Sequence, residues 1–556
     1  MKTLDAIELE ILQNALTAAA AEMDVTVWRT SRSTIVREML DYSTAIFDAD
    51  GYNVAQSARI PQHLNSMSFC LRTLVERFIP LDQWEDGDVV ITNDPYCGGQ
   101  HLPDIAAFRP VIRNGNRVAI VGTLCHHLDV GGMSPGSYSA NATEIYQEGL
   151  RIPPLKLFKR GVRNDDVWAM IGQNVRQPAI VLGDLQSQIA SLGVGVASIA
   201  KLADKYGPET LIAASRRILD ESEAAMRDVI RAMPDGTYAF EDFLDDDGID
   251  TDTPVRIHAQ VTVDGDRLTV DLSGSSPEVR GPINATLGST SSAINFAVIA
   301  CADRPIAPNA GCYRPVTIIA PEGLIVSARH PAPVAHRIAP CHVLLNVLFG
   351  ALAQAVPERI PAAYYAVSYV CSFQTIDADG TRKVLVEIEV GGCGAHPSQD
   401  GASAYSFGMH NNASIPIEMI ESDMPMTLTG YGLLPDSGGA GETRGGLGLW
   451  REWRLDVARA TCTAQMDRFR FRPYGLAGGL KGAAGRLTLI RDGKATSLHS
   501  KIGNMPLRKG DVIRLETSGG GGHGDPRRRA REAVQADLAQ GYVTAAVAAE
   551  QYGWRE

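Results

Sequence analysis

Histidine and aspartate residues that could bind a metal ion lie in two short segments of the chain. The first reads HLPD, residues 101–104, and the second contains two adjacent histidines, His126 and His127. His101 and Asp104 are three positions apart, so a turn can direct both side chains to one point. Imidazole and carboxylate donors suit zinc, manganese or iron, and two histidines with one or two aspartates leave positions open for catalysis. Hydrogen-bonded loop histidines are the alternative interpretation.

A fourth ligand would have to come from another segment, and the spacing does not choose among three candidate aspartates. They are Asp41, Asp94 and Asp129. His127 follows His126 on an extended segment, where neighbouring side chains point to opposite faces. We therefore expect His127 to support the site or move protons rather than to bind the same ion.

Glu148 is a further candidate for chemistry, since it precedes a glycine in a loop that begins polar and ends apolar. It could act as a base or could orient another group, and a solvated loop glutamate is the alternative. The SGGGG run at 518–522 lacks the Lys-Ser/Thr of a P-loop, which favours a tight loop with backbone contacts. The following Arg527, Arg528 and Arg529 are interpreted as a solvated entrance to a helix.

The elements that must position these residues follow from the apolar pattern. Residues 4–40 have apolar spacings near three and four without Pro or Gly, which predicts one long helix. Residues 41–56 are typical of strand, turn and strand, with Asp50-Gly51 in the turn. Residues 88–92 and 117–124 are predicted to be buried strands, and NDPYCGGQHLPD between them is predicted to be a loop. His126 then ends a strand, and catalytic groups collect on loops that such a scaffold holds.

The pattern changes near residue 233, where a domain boundary is predicted. Residues 172–232 are helical in character, with Pro208 suited to a first helical turn, whereas alternating strands follow Asp235. Later segments mix a helix at 340–356 with strands and glycine-rich loops, and the last 25 residues again favour a helix. We expect a mixed α/β (α+β) fold with an N-terminal α/β domain carrying the metal site (1–232), a β-rich and mixed region (233–515) and a glycine-rich loop with a helical tail (516–556).

Composition excludes several classes of protein. The 556 residues are 45% hydrophobic and 21% charged, which argues against disorder, and the net charge of −12 disfavours nucleic-acid and anionic-membrane partners. The N-terminus resembles no signal peptide, and the sequence suggests no membrane span, so we expect a cytoplasmic protein. The nine cysteines are odd in number and none forms Cys-x-x-Cys, which indicates reduced core or loop thiols.

A series of long, ordered motifs resembles the hydantoinase B family from about residue 4 to about residue 545. In chain order they are DYSTAIFDADG, IPQHLNSM, GDVVITNDPYCGGQHLPDIAAFRPV, CHHLDVGG, EGLRIPPLKLF, NVRQP, LPDSGGAGETRGGLGL and SGGGGHGDPRRR. The family includes the B subunits of ATP-dependent N-methylhydantoinases, the C-terminal half of 5-oxoprolinases, lactamase relatives and subunits of acetone and acetophenone carboxylases.

The resemblance implies a division of labour between two subunits. A separate A-type subunit with an actin-like ATPase fold would use ATP to phosphorylate a small cyclic amide. The B-type subunit would hold a divalent ion, zinc or manganese, through Asp41, His101, Asp104 and His126, and would complete the reaction. The ion could activate water or polarise a carbonyl. Glu148 or His127 would move protons, and the protein would work as a hetero-oligomer.

Two other functions remain open on the sequence. A ketone carboxylase subunit would share the metal site, although carboxylase chains are usually longer than this one. A scaffold that only stabilises the A-type subunit would need no ion. The leading expectation is therefore the B-type subunit of an ATP-dependent cyclic amidohydrolase acting on a hydantoin, 5-oxoproline or lactam ring.

Overall fold

The computed structural model describes residues 4–555 and has the mixed α/β architecture that the sequence predicts. Within those residues there are 11 α-helices and four β-sheets. The helices are Ala6–Thr30 (α1), Thr34–Arg37 (α2), Ser66–Arg77 (α3), Asp165–Gln173 (α4), Pro178–Tyr206 (α5), Pro208–Arg231 (α6), Leu287–Ala300 (α7), Ile338–Leu352 (α8), Ile417–Asp423 (α9), Arg531–Ala539 (α10) and Ala545–Val547 (α11).

The 20 strands of the described residues are numbered in chain order. They are Tyr42–Phe47 (β1), Asn53–Gln56 (β2), Val89–Thr92 (β3), Asp104–Arg113 (β4), Asn116–His126 (β5), Leu155–Lys159 (β6), Val162–Arg163 (β7), Gly236–Leu244 (β8), Val255–Asp264 (β9), Arg267–Asp271 (β10), Val316–Ile319 (β11), Tyr369–Ile376 (β12), Arg382–Glu389 (β13), Met426–Leu433 (β14), Leu449–Leu455 (β15), Arg459–Gln465 (β16), Arg486–Arg491 (β17), Lys494–Leu498 (β18), Lys501–Leu507 (β19) and Val512–Glu516 (β20).

The first sheet is antiparallel and has the order β2-β1-β5-β4-β3-β6-β7. Asp104 pairs with His126 across β4 and β5, and Tyr42 pairs with Cys125 across β1 and β5. The starts of β1 and β4 and the end of β5 therefore meet at one edge of the sheet, where polar side chains can converge.

Helices cover both faces of this sheet. Alternate residues of β4 pack on opposite sides, Ile105 and Ala107 toward α1 and α5, and Ala106 and Phe108 toward α3. A strand buried on both faces is apolar without alternation, as in β4, which was not predicted although its neighbours β3 and β5 were. The predicted strands at 88–92 and 117–124 and the strand pair within 41–56 are present as β3, β5, β1 and β2.

The single helix predicted over residues 4–40 is wrong in one respect, because α1 ends at Thr30 and α2 begins at Thr34. The Asp184 carboxylate on α5 accepts hydrogen bonds from the backbone N–H groups of Arg32 and Ser33, at 2.6 and 3.2 Å. The Ser33 side chain also caps α2. These contacts replace helical hydrogen bonds. Because Asp184 is 151 residues from Ser33 in sequence, local periodicity could not predict the break.

The remaining sheets and two apolar helices share the largest hydrophobic core. Their orders are β11-β10-β9-β8, β13-β12-β16-β19 and β14-β15-β20-β17-β18. Every residue of α8 is buried. The turn at Asp264-Gly265 connects β9 to β10, and the predicted helix at 340–356 corresponds to α8. The C-terminal tail is helical over Arg531–Ala539 and Ala545–Tyr552, while residue 556 lies outside the described residues.

The glycine-rich loops pack backbone against backbone. The N–H groups of Gly520, Gly521 and Gly522 donate to the carbonyl oxygens of Gly446, Ala363 and Leu480 at 2.8–3.0 Å. A Cβ added to Gly520 would lie 1.9 Å from the Cys393 carbonyl oxygen. This confirms the prediction of a tight loop with backbone contacts rather than a P-loop.

The interpretation of residues 527–529 as a solvated entrance is wrong for Arg529. Its guanidinium is buried and bonds to the carboxylates of Asp400 and Asp537 at 2.7 and 2.8 Å. All nine cysteine side chains are buried, as their burial preference predicts. One helix, α5, is long and apolar enough to cross a membrane by length and composition, but it packs against α1 and the first sheet.

Candidate metal centre

Three of the predicted ligands come together at the edge of the first sheet. The donor atoms of His101, Asp104 and His126 lie within 4.8 Å of one another. The strand pairing positions two of them, since Asp104 starts β4 directly opposite His126 at the end of β5. The turn before β4 brings His101 back toward Asp104, with Nε2 3.4 Å from Oδ1. All three side chains are at most 2% exposed.

One polar atom of each of these side chains has no hydrogen-bond partner among the described residues. They are His101 Nε2, Asp104 Oδ1 and His126 Nδ1. Buried polar atoms normally have hydrogen-bond partners. Three unpaired acceptor atoms on neighbouring side chains are therefore a feature that a bound cation would explain. Two imidazole nitrogens and a carboxylate oxygen are donors that fit a divalent ion such as zinc or manganese.

Hydrogen bonds to the opposite side of each ring fix its orientation. His101 Nδ1 donates to the Ala335 carbonyl oxygen at 2.9 Å, which leaves a lone pair on Nε2 for the centre. His126 Nε2 lies 3.2 Å from the Tyr138 hydroxyl, which leaves Nδ1 for the centre. Ligating histidines in metalloproteins are held in this way by partners on the non-ligating nitrogen.

The electrostatic balance keeps the donors in the protonation state that an ion needs. Burial alone would raise the pKa of Asp104, but nearby positive charge, including the Arg337 guanidinium at 2.8 Å, outweighs it and holds that pKa below its usual range. Burial lowers the pKa of both His101 and His126, so the rings are neutral. A carboxylate beside two neutral imidazoles is the form that binds a cation.

Asp41 lies next to this group without joining it. It precedes β1, and its carbonyl oxygen accepts from the His126 N–H at 3.1 Å. Its buried carboxyl interacts with the Asn412 side chain, and burial together with the Asp104 charge raises its pKa to about 7. The structure therefore brings the donor atoms of three predicted ligands within 4.8 Å of one another. The fourth, Asp41, lies directly before the neighbouring strand β1.

The two other aspartates considered as ligands have different partners. Asp94 caps a short 3₁₀ helix through the Tyr96 N–H and pairs with Arg151 at 3.0 Å. Asp129 accepts from the Gly131 and Gly136 N–H groups and pairs with Arg176. Their carboxylates hold loops in place, so neither is brought to the candidate centre.

His127 and Glu148 occupy positions around the centre rather than within it. His127 points toward α5, where Nε2 lies 3.0 Å from Gln188 Oε1, as its alternation with His126 predicts. Glu148 is buried, and its Oε1 accepts from the Val334 and Ala335 N–H groups at 2.7 and 2.8 Å. The carbonyl oxygen of Ala335 orients His101. Glu148 therefore acts on the centre indirectly, by holding Ala335. The solvated-loop interpretation of Glu148 is therefore wrong.

Several residues of the second half of the chain complete the centre, and local spacing could not find them. Arg337 pairs with Asp104 at 2.8 Å, and His336 is fully buried with neither ring nitrogen hydrogen-bonded to a described residue. Tyr138, from the first half of the chain, also contacts the rings of His101 and His126. The only signal in the sequence was that His336 and Arg337 are polar residues directly before the strongly apolar helix α8.

Comparisons with known proteins bear on the family and the fold of the chain. Residues 5–526 match the Hydantoinase B/oxoprolinase family. The chain is 33% identical to the B subunit of a putative D-/L-hydantoinase of Pseudomonas sp. (strain NS671), covering 100% of this chain and 95% of that protein. It is 33% identical to the beta subunit of the caprolactamase of Pseudomonas jessenii, covering 100% and 96%. It is 31% identical to 5-oxoprolinase 1 of Arabidopsis thaliana, but spans only 42% of that protein.

Two solved structures share the fold over nearly the whole chain. The ATP-dependent caprolactamase from Pseudomonas jessenii superposes with a TM-score of 0.91 at 31% identity, covering 99% of this chain and 96% of the other. A nucleotide-free acetone carboxylase has the same TM-score at 20% identity, with 80% of its chain covered, and supports the fold alone. With the family match extending over most of its length, the chain belongs to the hydantoinase B/oxoprolinase family.

Proposed function

We propose that this protein is the metal-containing B-type subunit of an ATP-dependent cyclic amidohydrolase that opens a hydantoin, 5-oxoproline or lactam ring. The proposal rests on three buried atoms that have no hydrogen-bond partner among the described residues. They belong to His101, Asp104 and His126, which lie together at one edge of the first sheet. The chain also covers nearly the full length of the B subunit of a putative hydantoinase and of the beta subunit of a caprolactamase.

The same relatives support the proposed partner and the use of ATP. A separate A-type subunit would phosphorylate the cyclic amide with ATP, and the B-type subunit would complete the hydrolysis in a cytoplasmic hetero-oligomer. Phosphorylation of the amide oxygen turns a poor electrophile into a reactive imidate. A bound zinc or manganese ion would supply Lewis acidity and lower the pKa of water at the site.

The proposal gives each residue of the candidate centre a specific role. His101, Asp104 and His126 hold the ion, and Asp41 is the fourth ligand when its carboxyl is ionised. Arg337 keeps Asp104 ionised through the 2.8 Å ion pair. Glu148 and His127 remain candidates for proton transfer, although their contacts with Ala335 and Gln188 favour positioning roles.

Reconstitution with an A-type protein tests the proposal. The purified complex is supplied with ATP and with hydantoins, 5-oxoproline or lactams, and ring-opened product is measured. His101→Ala and Asp104→Ala should lose both stoichiometric metal and turnover, whereas His523→Gln, a half-buried histidine outside the donor group, should retain both. Unchanged turnover without bound metal would favour a scaffold role instead.

A ketone carboxylase subunit is the second candidate, and the structural likeness to acetone carboxylase is the observation that favours it. The chain covers 96% of the caprolactamase chain but 80% of the carboxylase chain, which makes the hydrolase the better fit. Incubation of the complex with ATP, bicarbonate and acetone or acetophenone separates the two, because only a carboxylase incorporates labelled carbon from bicarbonate.

A further inference from the structure

His336 is a buried histidine to which the proposed function gives no role. Its side chain is fully buried, and neither ring nitrogen has a hydrogen-bond partner among the described residues. Burial lowers the pKa of the ring well below its usual value, so the imidazole is neutral, with one N–H donor and one acceptor nitrogen. Leaving both groups unpaired in the interior is unfavourable for folding, and such a loss of stability is typical of functional residues.

The two residues that flank His336 in sequence both contact ligands of the candidate centre. The Ala335 carbonyl oxygen accepts from His101 Nδ1 at 2.9 Å. On the other side, the Arg337 guanidinium pairs with the Asp104 carboxylate at 2.8 Å. His336 is therefore the middle residue of a three-residue segment that is held against the centre at both ends.

The ring of His336 lies beside Tyr138, which contacts the candidate ligands. The centroids of the His336 and Tyr138 rings are 6.5 Å apart, and the ring planes are inclined at 70°. The same tyrosine ring lies 5.7 Å from the His101 ring and 5.8 Å from the His126 ring. The unpaired imidazole is therefore separated from the two candidate histidine ligands by a single aromatic side chain.

An unpaired donor on the next residue indicates which kind of group would bind here. Arg337 is 4% exposed and donates from Nη2 to Asp104, but its Nε has no partner in the part of the chain that the structure describes. A guanidinium nitrogen can only donate, so it requires an acceptor, as the imidazole N–H of His336 does. A cyclic amide has a carbonyl oxygen that can accept, and its ring-opened product has a carboxylate.

We propose that His336 is a substrate-contacting residue of the candidate centre, where its ring hydrogen-bonds an oxygen of the cyclic amide or of the ring-opened product. This inference rests on the proposed function, because it takes the class of substrate from it. His336 would orient the molecule beside His101, Asp104 and His126 without binding the ion itself. The bound molecule would then supply the hydrogen bond that the free protein lacks.

Replacement by leucine distinguishes a substrate contact from a structural one. Leucine has a similar volume and no polar atom, so His336→Leu should leave the melting temperature of the metal-loaded chain unchanged or raise it. His342 is the matched control, because it is also fully buried but its nitrogens lie 2.7 Å from the Tyr364 hydroxyl and 3.0 Å from the Ser368 hydroxyl. His342→Leu removes both hydrogen bonds and should lower the melting temperature.

Steady-state kinetics of the complex reconstituted with an A-type protein test the contact itself. His336→Leu should lower kcat/KM for ring opening by at least about tenfold while the ion stays bound. His336→Asn and His336→Gln place an amide group near the position of Nδ1 or Nε2, so one of them should recover part of the loss. A role in stability alone would change the melting temperature of these variants rather than kcat/KM.

Three results would overturn the inference. An equal fall in melting temperature for His336→Leu and His342→Leu would show that the His336 ring has a structural partner. Loss of bound metal from His336→Leu would assign the ring to the ion, and an unchanged kcat/KM would show that the ring does not contact substrate. A wild-type complex that opens no ring would instead overturn the proposed function, while the melting temperatures would still report whether the His336 ring is unpaired.

Discussion

Asp104 and Arg337 form a buried ion pair, with Oδ2 and Nη2 2.8 Å apart, although they are separated by 233 residues. Asp104 begins a strand of the first sheet, and Arg337 directly precedes α8 in the second half of the chain. The other carboxylate oxygen of Asp104 faces His101. One carboxylate therefore connects the candidate ion to the larger hydrophobic core.

Removal of Arg337 should destabilise the metal-free protein more than the metal-loaded protein. Arg337→Ala leaves a buried carboxylate without its cation, which costs about 3 to 5 kcal/mol in free energy of unfolding. A bound divalent ion compensates part of that charge, so the loss should be smaller with metal. Denaturant titrations of the wild type and of Arg337→Ala, each with and without metal, measure the difference. An equal loss in the two states would show that Asp104 does not share its charge with an ion.

Asp41 should prove to be the fourth ligand when metal affinity is compared among the three candidate aspartates. Asp41→Asn should weaken metal binding by at least about tenfold, since it removes the carboxylate nearest the group. Asp94→Asn and Asp129→Asn lose loop contacts and should keep the affinity of the wild type. Competition with a chromophoric chelator gives the constants. Equal affinities in all three variants would remove Asp41 from the ligand set.

Glu148→Gln separates a positioning role from proton transfer. Glutamine retains an oxygen that can accept from Val334 and Ala335, so metal binding should persist, whereas Glu148→Ala leaves two buried N–H groups unsatisfied at about 1 to 3 kcal/mol each. Turnover of the glutamine variant at the rate of the wild type supports positioning. Lost turnover with metal retained would identify Glu148 as a proton-transfer group.

The same variant should change how stability depends on pH. Burial raises the pKa of Glu148 to about 8, above the value of about 4.3 for an unfolded chain. Ionisation in the unfolded chain therefore penalises the folded state increasingly as pH rises through that interval. Glutamine has no such penalty, so the melting temperature of the variant relative to wild type should rise between about pH 5 and pH 8. A constant difference would contradict the raised pKa.

His499 should stabilise the fold at low pH and lose that effect at high pH. Its hydrogen bond to Asp246 raises the pKa of the ring above its usual range. The contribution is therefore complete below about pH 6.5 and disappears as pH rises through the folded-state pKa. His499→Gln should lower the melting temperature at pH 6 more than at pH 9. Because an Asp246→Asn background removes the partner, it should abolish this pH dependence.

The glycine-rich loops should tolerate no side chain. Gly520→Ala places a Cβ 1.9 Å from the Cys393 carbonyl oxygen and should prevent folding or lower the melting temperature strongly. Gly193→Ala in α5 meets no atom within 4 Å and should be neutral or stabilising by about 0.5 to 1 kcal/mol. Soluble yield and thermal unfolding compare the two.

Local patterns predicted most strands near the centre because short apolar runs and turn residues mark them. The convergence of His101, Asp104 and His126 was also predictable, since strand ends lie together at one edge of a sheet. Asp41 as a ligand came from the family resemblance alone. Arg337 and Ala335 were not predictable, because their contacts join segments more than 200 residues apart. The break after α1 had the same kind of cause in Asp184.

The direct pairing of Asp104 with His126 has a consequence for how the chain reaches its final form. A slip of one residue between β4 and β5 would turn one set of side chains to the opposite face. An ion that requires both donors would bind only hairpins in the native register. Metal supply during synthesis would then select correctly aligned chains, and scarcity of the ion would lower the yield of folded protein as well as its activity.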